Sequence, residues 1–163
     1  MNYIEQSIMV GVKDMREKQE WMRRIAMKIK LDDGAYMPVR GHKADAGLDL
    51  RTPKRGVIYQ NDSVTINTGV HVEIPFGYFG KLESKSGLNV NYGIVSHGGV
   101  IDSGYTGPIV VKLYNHGKQK HVFEQGDKIV QLIIQPCLLP MLELVDDLED
   151  TYRGDNGFGS TRK

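Results

Sequence analysis

The sequence predicts a mainly β domain, an all-β barrel or sandwich, with one added helix at its N-terminus. From Met27 onward, short runs rich in β-branched and aromatic residues alternate with gaps that contain Gly, Pro, Asn or Asp. Apolar residues at every second position, as at Val70, Val72 and Ile74, are typical of strands with one buried face. Many short strands at this spacing are characteristic of barrels and sandwiches. We therefore expect one β domain between residues 27 and 152.

The first 26 residues differ from this pattern because their stripe residues recur at helical spacing. Steps of four and three residues connect Ile8, Val12, Met15, Gln19, Met22, Ala26 and Ile29. An amphipathic helix that packs on its own domain explains this stripe best. A helix that binds a second copy or an unidentified protein partner is the alternative, and a frayed extension is a third. The stripe is short and Gln19 interrupts it, which favours the first interpretation.

The predicted strands follow one another along the chain. In order they are "MKIKL", "GVIY", "SVTINTGVHVEI", "YFGKLES", "GIVS", "PIVVKLYN", "HVFEQGDKIVQLIIQ" and "MLELV". Turn-forming residues separate them, and no internal repeat divides them into two domains. The last eleven residues, 153–163, have no period of either kind, so we expect a C-terminal tail outside the β domain.

Composition restricts the classes of function. The chain has 21 Lys and Arg against 20 Asp and Glu, and a net charge of +1 gives no general attraction to nucleic acid or to an anionic membrane. The single cysteine, Cys137, excludes an internal disulfide and a cysteine-rich zinc site. No run approaches the ~18 apolar residues of a membrane helix, and no secretory signal begins the chain. We expect a soluble, cytoplasmic protein without nucleic-acid or membrane partners.

Two polar stretches early in the β domain carry more functional groups than a turn requires. "ADAGLDL" places Asp49 between two leucines, where its carboxylate either bonds a neighbouring loop or helps to position a cation or a basic partner. "ESKSGLNV" brings together Lys85, Ser86 and Gly87, whose ammonium, hydroxyl and open backbone suit an anion. An ordinary polar turn is the alternative for the second stretch.

Two further stretches follow in the second half of the domain. "HGGVIDSGYTGPIVV" is typical of a hairpin, and Asp102 follows two apolar residues, where it acts either as a general base or as a turn cap. Tyr105 is larger than a bend needs, so we expect its ring to pack on something. In "GDKIVQLII", Gln131 interrupts a buried run, and its amide needs partners from the backbone or from a ligand.

The tail, "RGDNGFGSTRK", completes the set. Arg153 is a fork-shaped donor for phosphate oxygens, and Phe158 offers a flat face for stacking on a base. Gly159 permits close backbone approach, while Ser160 and Thr161 supply hydroxyl groups. Composition alone favours a disordered tail.

Taken in order, "AGLDL", "SKSGL", "GVIDSGYTG", "GDKIVQLI" and "RGDNGFGST" resemble the five motifs of the homotrimeric deoxyuridine triphosphatases (dUTPases). The resemblance runs from about Lys28 to Thr161. It implies a jelly-roll-like subunit in a homotrimer whose active sites are shared between subunits. It also implies Mg²⁺-dependent hydrolysis of dUTP to dUMP and pyrophosphate. That activity keeps uracil out of DNA and supplies dUMP for thymidylate synthesis.

The resemblance implies a role for each matching residue. Asp102 corresponds to the aspartate that activates the attacking water, and Gln131 to a glutamine near the α-phosphate. Tyr105 would pack beneath the deoxyribose, and Asp49 would support the hydration shell of a Mg²⁺ ion held mainly by the triphosphate. The other matches are Gly99, Val100, Ile101 and Val110 at the uracil edge, Lys85, Ser86 and Gly87 at the phosphates, and Arg153, Phe158, Gly159, Ser160 and Thr161 in a mobile tail that closes over the nucleotide.

A departure from the family's pattern at Lys85 and two alternatives bear on this interpretation. Lys85 stands where the family usually has arginine, so a bidentate phosphate contact becomes a single point charge. A deoxycytidine triphosphate deaminase would share the fold but catalyse a different reaction. A dUTP-gated interaction protein would use the N-terminal helix to bind its partner.

Overall fold

The computed structural model describes residues 26–97 and 99–154, and this part of the chain is mainly β. The predicted helix of residues 1–26 lies outside the described residues except for Ala26, as do residues 155–163 of the tail. The strands in chain order are β1 (Lys28–Leu31), β2 (Gly47–Arg51), β3 (Gly56–Ile58), β4 (Ser63–Asn67), β5 (Val70–Glu73), β6 (Tyr78–Ser84), β7 (Ile94–Ser96), β8 (Val100–Ile101), β9 (Val110–Asn115), β10 (His121–Phe123) and β11 (Lys128–Pro136). A helix, α1 (Ser86–Tyr92), lies between β6 and β7.

The described strands form four antiparallel sheets. The largest has the order β2-β11-β6-β8, a second has the order β4-β9-β7, and β1-β5 and β3-β10 form two pairs. Strand β11 is central to the largest sheet, because it pairs with β2 on one side and with β6 on the other. In that register Gln131 lies beside Asp49 of β2 and beside Glu83 of β6. Three polar residues therefore lie in one row across the sheet.

The hydrophobic core collects the alternate residues of several strands. Leu50 of β2, Leu82 of β6 and Leu132 of β11 are buried, and so is Phe123 of β10. Ile129 and Val130 are both buried although they are adjacent. The β11–β2 register shifts between Lys128 and Val130, and such a bulge turns two consecutive side chains inward.

Seven of the eight predicted strand runs are confirmed, and two of these are divided. "SVTINTGVHVEI" forms β4 and β5, since the chain leaves the sheet at Thr68 and Gly69, and "HVFEQGDKIVQLIIQ" forms β10 and β11. "MLELV" was predicted as a strand, and this prediction is wrong, because residues 137–150 pair with no strand of the described chain. "SKSGL" was predicted as a turn but begins α1, which is too short for its sequence to show a helical period.

None of the helices in residues 26–97 and 99–154 has the length and apolar character needed to cross a membrane.

Candidate active site

Gln131 is held against the backbone of its own sheet. Its Nε2 donates a hydrogen bond to the carbonyl oxygen of Ser84 at 3.2 Å. The side chain lies over Gly47, where an added Cβ would overlap the Gln131 amide oxygen. Glycine at position 47 therefore leaves room for this amide. The backbone alternative of the sequence interpretation is confirmed, and contact with a ligand stays a prediction.

Asp49 lies at the centre of a charge cluster that we call the Asp49 triad, which consists of Asp49, Lys85 and Lys128. The Nζ of Lys85 is 2.5 Å from one carboxylate oxygen of Asp49, and the Nζ of Lys128 is 2.7 Å from the other. Asp49 is buried, and burial alone would raise the pKa of its carboxyl group. The hydrogen bonds and charges of Lys128 and Lys85 outweigh burial and lower this pKa below its ordinary value.

The sequence did not point to Lys128. It is the first residue of β11 and lies opposite Arg51, two residues along β2 from Asp49. Only the register of β2 against β11 brings it to Asp49. The nearest signal in the sequence is the Gly126-Asp127 turn, which predicts where β11 begins but not what it pairs with.

We expect Asp49→Asn to lower the free energy of unfolding by about 1–3 kcal/mol near neutral pH, because two lysines lose their charge partner while remaining partly solvated. The folded-state pKa of Asp49 is depressed, so its contribution is present above the unfolded-state pKa and is lost as the pH falls through the folded-state pKa. The difference between wild type and variant should therefore shrink in strong acid. Urea unfolding at both pH values measures this.

Glu83→Gln is the matched control for that experiment. Glu83 forms an ion pair with Lys81 at 2.7 Å on the same sheet, and both of these side chains are about half exposed. The hydrogen bond from Lys81 lowers the pKa of Glu83 as well. Exposed pairs contribute less than about 1 kcal/mol, so this variant should lose less stability than Asp49→Asn. Equal losses would show that the Asp49 triad behaves as a surface pair.

Lys85, Ser86 and Gly87 form the start of α1. Lys85 is the N-cap residue in an extended conformation, and the first helical bond runs from the Asn89 N–H to the Lys85 carbonyl oxygen at 2.9 Å. The N–H groups of Ser86 and Gly87 precede that bond, so they are not used within the helix. An ideal Cβ at Gly87 would meet open space, which allows close approach of another molecule. Phosphate binding by these three residues stays a prediction.

Asp102 and Tyr105 lie on one tight turn, residues 102–108, which we call the Asp102 loop. The Tyr105 N–H donates to the Asp102 carbonyl oxygen at 3.2 Å, and Gly104 has a φ of 90° that favours glycine. The Asp102 side chain is exposed. Tyr105 packs on its own loop, since its hydroxyl donates to the Pro108 carbonyl oxygen at 3.0 Å and its ring lies over Gly107.

The strands on either side of the Asp102 loop do not form the predicted hairpin. Strand β8 is the edge strand of the largest sheet, while β9 belongs to the sheet β4-β9-β7. Strand β7 pairs with β9 only at Leu113–Asn115. One backbone edge of Val110 therefore has no strand partner in the described chain. The two strand edges thus retain backbone donors and acceptors for another molecule. Val100 and Val110 are exposed, and Ile101 is buried.

Gly99 has a structural function in addition to its predicted place at the uracil edge. Its carbonyl oxygen accepts a hydrogen bond from the Leu82 N–H at 2.8 Å, and an added Cβ would overlap the Leu82 side chain. Gly99 and Val100 line a pocket of about 460 Å³, together with His97 and with Leu82 of β6. The carbonyl of Gly99 is thus already engaged within the chain.

The structure groups the predicted residues in two places. Asp49, Gln131 and Lys85 meet on the largest sheet, and Gly99–Ile101, Asp102, Tyr105 and Val110 surround the Asp102 loop. Arg153 is exposed at the end of the described chain. Phe158, Gly159, Ser160 and Thr161 lie outside the described residues, so their roles stay predictions.

Comparison with known proteins gives a family match that includes both groups. A family model described as dUTPase matches residues 33–162. The deoxyuridine 5'-triphosphate nucleotidohydrolase of Paramecium bursaria Chlorella virus 1 is 38% identical over 132 residues, which cover 81% of this chain and 94% of the relative. That of Clostridium acetobutylicum is 39% identical over 140 residues, which cover 84% and 97%.

Solved structures agree with the sequence comparison. The Staphylococcus bacteriophage 80alpha dUTPase with dUpNHpp superposes with a TM-score of 0.75 at 32% identity, over 83% of this chain and 98% of the other. A mutant dUTPase from phage phi11 of S. aureus, described with a structural Mg(II) ion, superposes with a TM-score of 0.71 at 29% identity, over 77% and 99%. A match across four fifths of the length, through all five polar stretches, means that the chain belongs to the dUTPase family.

Proposed function

We propose that this protein hydrolyses dUTP to dUMP and pyrophosphate, with Asp102 as the general base for water attack on the α-phosphorus. The observation that carries the assignment of roles is the Asp102 loop, which presents an exposed carboxylate and an aromatic ring on one turn beside two open strand edges. The named relatives are deoxyuridine 5'-triphosphate nucleotidohydrolases. The reaction would keep uracil out of DNA and supply dUMP for thymidylate synthesis.

The open edges of β8 and β9 are the proposed site of base recognition. Uracil has a polar edge of alternating carbonyl and N–H groups, which matches the backbone groups of a strand edge. Val100, Ile101 and Val110 would read this edge, and a close fit would exclude a methyl group on the base. The Tyr105 ring is fixed by its bond to Pro108, so it would form a rigid surface beneath the deoxyribose with no room for a 2′-hydroxyl.

The start of α1 is the proposed site of phosphate binding. Lys85 supplies a positive charge, and Ser86 and Gly87 supply backbone N–H groups that the helix does not use. The ion pair with Asp49 already fixes the position of the Lys85 ammonium group. Substrate binding therefore costs little additional conformational entropy for this side chain. Gln131 would contact the α-phosphate and the attacking water from the neighbouring strand. Phosphoryl transfer requires such positioned donors and an aligned water, and little else.

The described residues offer few groups that could coordinate a metal ion. Each Asp49 oxygen accepts one hydrogen bond from a lysine. A carboxylate has lone pairs for further bonds, so contact with a metal's hydration shell stays a prediction. Residues 26–97 and 99–154 contain no group of three or more His, Cys, Asp or Glu side chains arranged to hold a metal. We therefore assign Mg²⁺ to the triphosphate itself, whose charge it would neutralise.

We also propose a homotrimer with a jelly-roll-like barrel in each subunit, and the C-terminal segment supports the association of subunits. Large apolar side chains are exposed on the described single chain at Leu138, Leu139, Met141, Leu142, Leu144 and Leu148. A soluble monomer rarely leaves so many adjacent apolar residues in water, so a second subunit is the best cover for them. This segment leads to Arg153, and the tail would then close over a neighbouring subunit's nucleotide.

The decisive experiment incubates the protein with dUTP and, separately, with dCTP in the presence of Mg²⁺. Pyrophosphate and dUMP from dUTP, with dCTP unchanged, are expected. Formation of dUTP or dUMP from dCTP while dUTP stays intact would instead identify a deaminase. Light scattering of the same sample measures the oligomer, and a mass near three chains is expected.

A further inference from the structure

We propose that His71 is a positioning residue for the reaction, because it ties the Asp102 loop to the turn that follows β1. The tie, which we call the His71 bridge, consists of His71, Asp32 and the Thr106 carbonyl group. The effect on catalysis rests on the proposed function, since the Asp102 loop carries the proposed base and the proposed sugar-contacting ring. The bridge itself rests on the geometry of three chain segments that are far apart in sequence.

The imidazole of His71 lies between two hydrogen-bond acceptors. Its Nδ1 is 2.7 Å from the Thr106 carbonyl oxygen, and its Nε2 is 3.0 Å from a carboxylate oxygen of Asp32. A carbonyl and a carboxylate only accept, so each ring nitrogen must donate for both bonds to form. The imidazolium ion donates from both nitrogens, whereas the neutral ring donates from one. The side chain is only 15% exposed, which limits competition from water.

Asp32 is a firm anchor for this bridge. Its N–H donates to the Gly69 carbonyl oxygen at 2.9 Å, and its own carbonyl oxygen accepts from Ala35 at 3.1 Å. The turn packs so closely on the start of β5 that an ideal Cβ at Gly69 would lie 2.9 Å from the Cβ of Ala35. The Asp32 carboxylate is therefore held beside the strand that carries His71.

The bridge supplies the middle of three attachments between the Asp102 loop and the β5 region. The Ser103 hydroxyl donates to the Ile74 carbonyl oxygen at 3.1 Å, and the Ile109 N–H donates to the Val70 carbonyl oxygen at 2.8 Å. These two bonds hold the beginning of the loop and the residue just after its end. Thr106 is adjacent to Tyr105, so the hydrogen bond to His71 restrains the backbone next to the residue that carries the ring. Loss of this bond would free the part of the loop that presents Tyr105.

Ion pairing and strand register place three charged residues near His71. Asp32 faces it from the turn after β1, Lys30 lies directly opposite it on β1, and Glu73 shares its face two residues along β5. Glu73 is engaged with Lys28 at 3.0 Å. Asp32 is thus the negative charge in direct contact with the imidazole, and its removal should have the same direction of effect as removal of the ring.

The experiment compares His71→Leu, His71→Gln and Asp32→Ala with Glu73→Gln as the matched control on the same strand face. We expect His71→Leu to lower kcat for dUTP by about 10- to 100-fold, since small misplacement of reacting groups has effects of this size. Hydrolysis of dUTP relative to UTP should become less selective, because the Tyr105 ring is no longer fixed. His71→Gln keeps one donor and should recover part of both properties. Glu73→Gln should behave as wild type.

Asp32→Ala keeps the proposal testable if His71→Leu fails to fold, because Asp32 is 45% exposed and lies outside the core. This variant should also lower kcat and the preference for dUTP. Wild-type kcat and selectivity in a folded His71→Leu or Asp32→Ala protein would overturn the proposal. So would equal loss in Glu73→Gln, since that would indicate a general effect of altering this face.

A second measurement separates this proposal from the proposed function. Hydrogen exchange of the Tyr105 amide reports the order of the Asp102 loop without any turnover. Faster exchange in His71→Leu and Asp32→Ala, with unchanged exchange in Glu73→Gln, is expected even if the wild type does not hydrolyse dUTP. Unchanged exchange in both bridge variants would overturn the bridge and leave the proposed hydrolysis standing.

Discussion

Asp102→Asn should lower kcat for dUTP by about 100- to 10,000-fold, the range that general base catalysis contributes. Asparagine has the shape of aspartate, but its amide cannot take a proton from the attacking water. The Asp102 side chain is exposed, and it is the backbone carbonyl that accepts the turn's hydrogen bond from Tyr105, so the substitution should leave the turn intact. Single-turnover hydrolysis measures the chemical step, and calorimetry with dUpNHpp measures binding, which should change only a few-fold.

Asp62→Asn is the matched control for this result. Asp62 is also an exposed aspartate at a turn, and its carboxylate accepts a hydrogen bond from the Ser63 N–H at 2.7 Å. It lies outside both groups of site residues, so the same chemical change should leave kcat unaltered. If Asp102→Asn kept wild-type turnover, another group would have to activate the water. If binding of dUpNHpp also disappeared, Asp102 would act in binding rather than in proton transfer.

The sequence was sufficient for the mainly β class and for the choice of candidate residues, whose roles stay predictions, because both depend on local pattern. Strands such as β4 and β5 alternate apolar and polar residues, and turn residues mark their ends. The five motifs likewise occupy short continuous stretches. The Asp102 loop could be predicted as a turn because Gly104 and Gly107 lie within it.

Features that depend on pairing between distant strands could not be predicted. Lys128 reaches Asp49 only through the β2–β11 register, and the His71 bridge joins residues 39 and 35 positions apart. The sequence left Gln131 with two kinds of partner, and its backbone partner, the carbonyl group of Ser84, lies across the sheet.

The segment "MLELV" was wrongly predicted as a strand, and the reason is informative. It has the alternating pattern of a strand, but no strand of the described chain pairs with it. Leu142 and Leu144 alternate with Glu143, which is a strand pattern, yet they are 96% and 100% exposed on the described chain. A strand needs a neighbouring edge for its hydrogen bonds. The pattern is explained if that edge and the apolar surface belong to another subunit.

We therefore expect the double substitution Leu142→Glu and Leu144→Glu to convert the proposed trimer into monomers. Each carboxylate would have to be buried without a partner in the subunit interface, at a cost of several kcal/mol, and three subunits would bear that cost at once. Activity should fall by at least about 100-fold, because the proposed active site needs groups from more than one subunit. Light scattering gives the mass, and a dUTP assay on the same sample gives the activity.

Glu143→Gln is the control, since Glu143 lies between the two leucines and points to the opposite side of an extended chain. It should preserve both the trimer and the activity. The leucine substitutions should not unfold the subunit, since these two side chains contribute nothing to its hydrophobic core. Intact circular dichroism with a monomeric mass would thus distinguish dissociation from unfolding. A trimer that persists with both glutamates would mean that the subunit interface lies elsewhere and does not contain the exposed leucines.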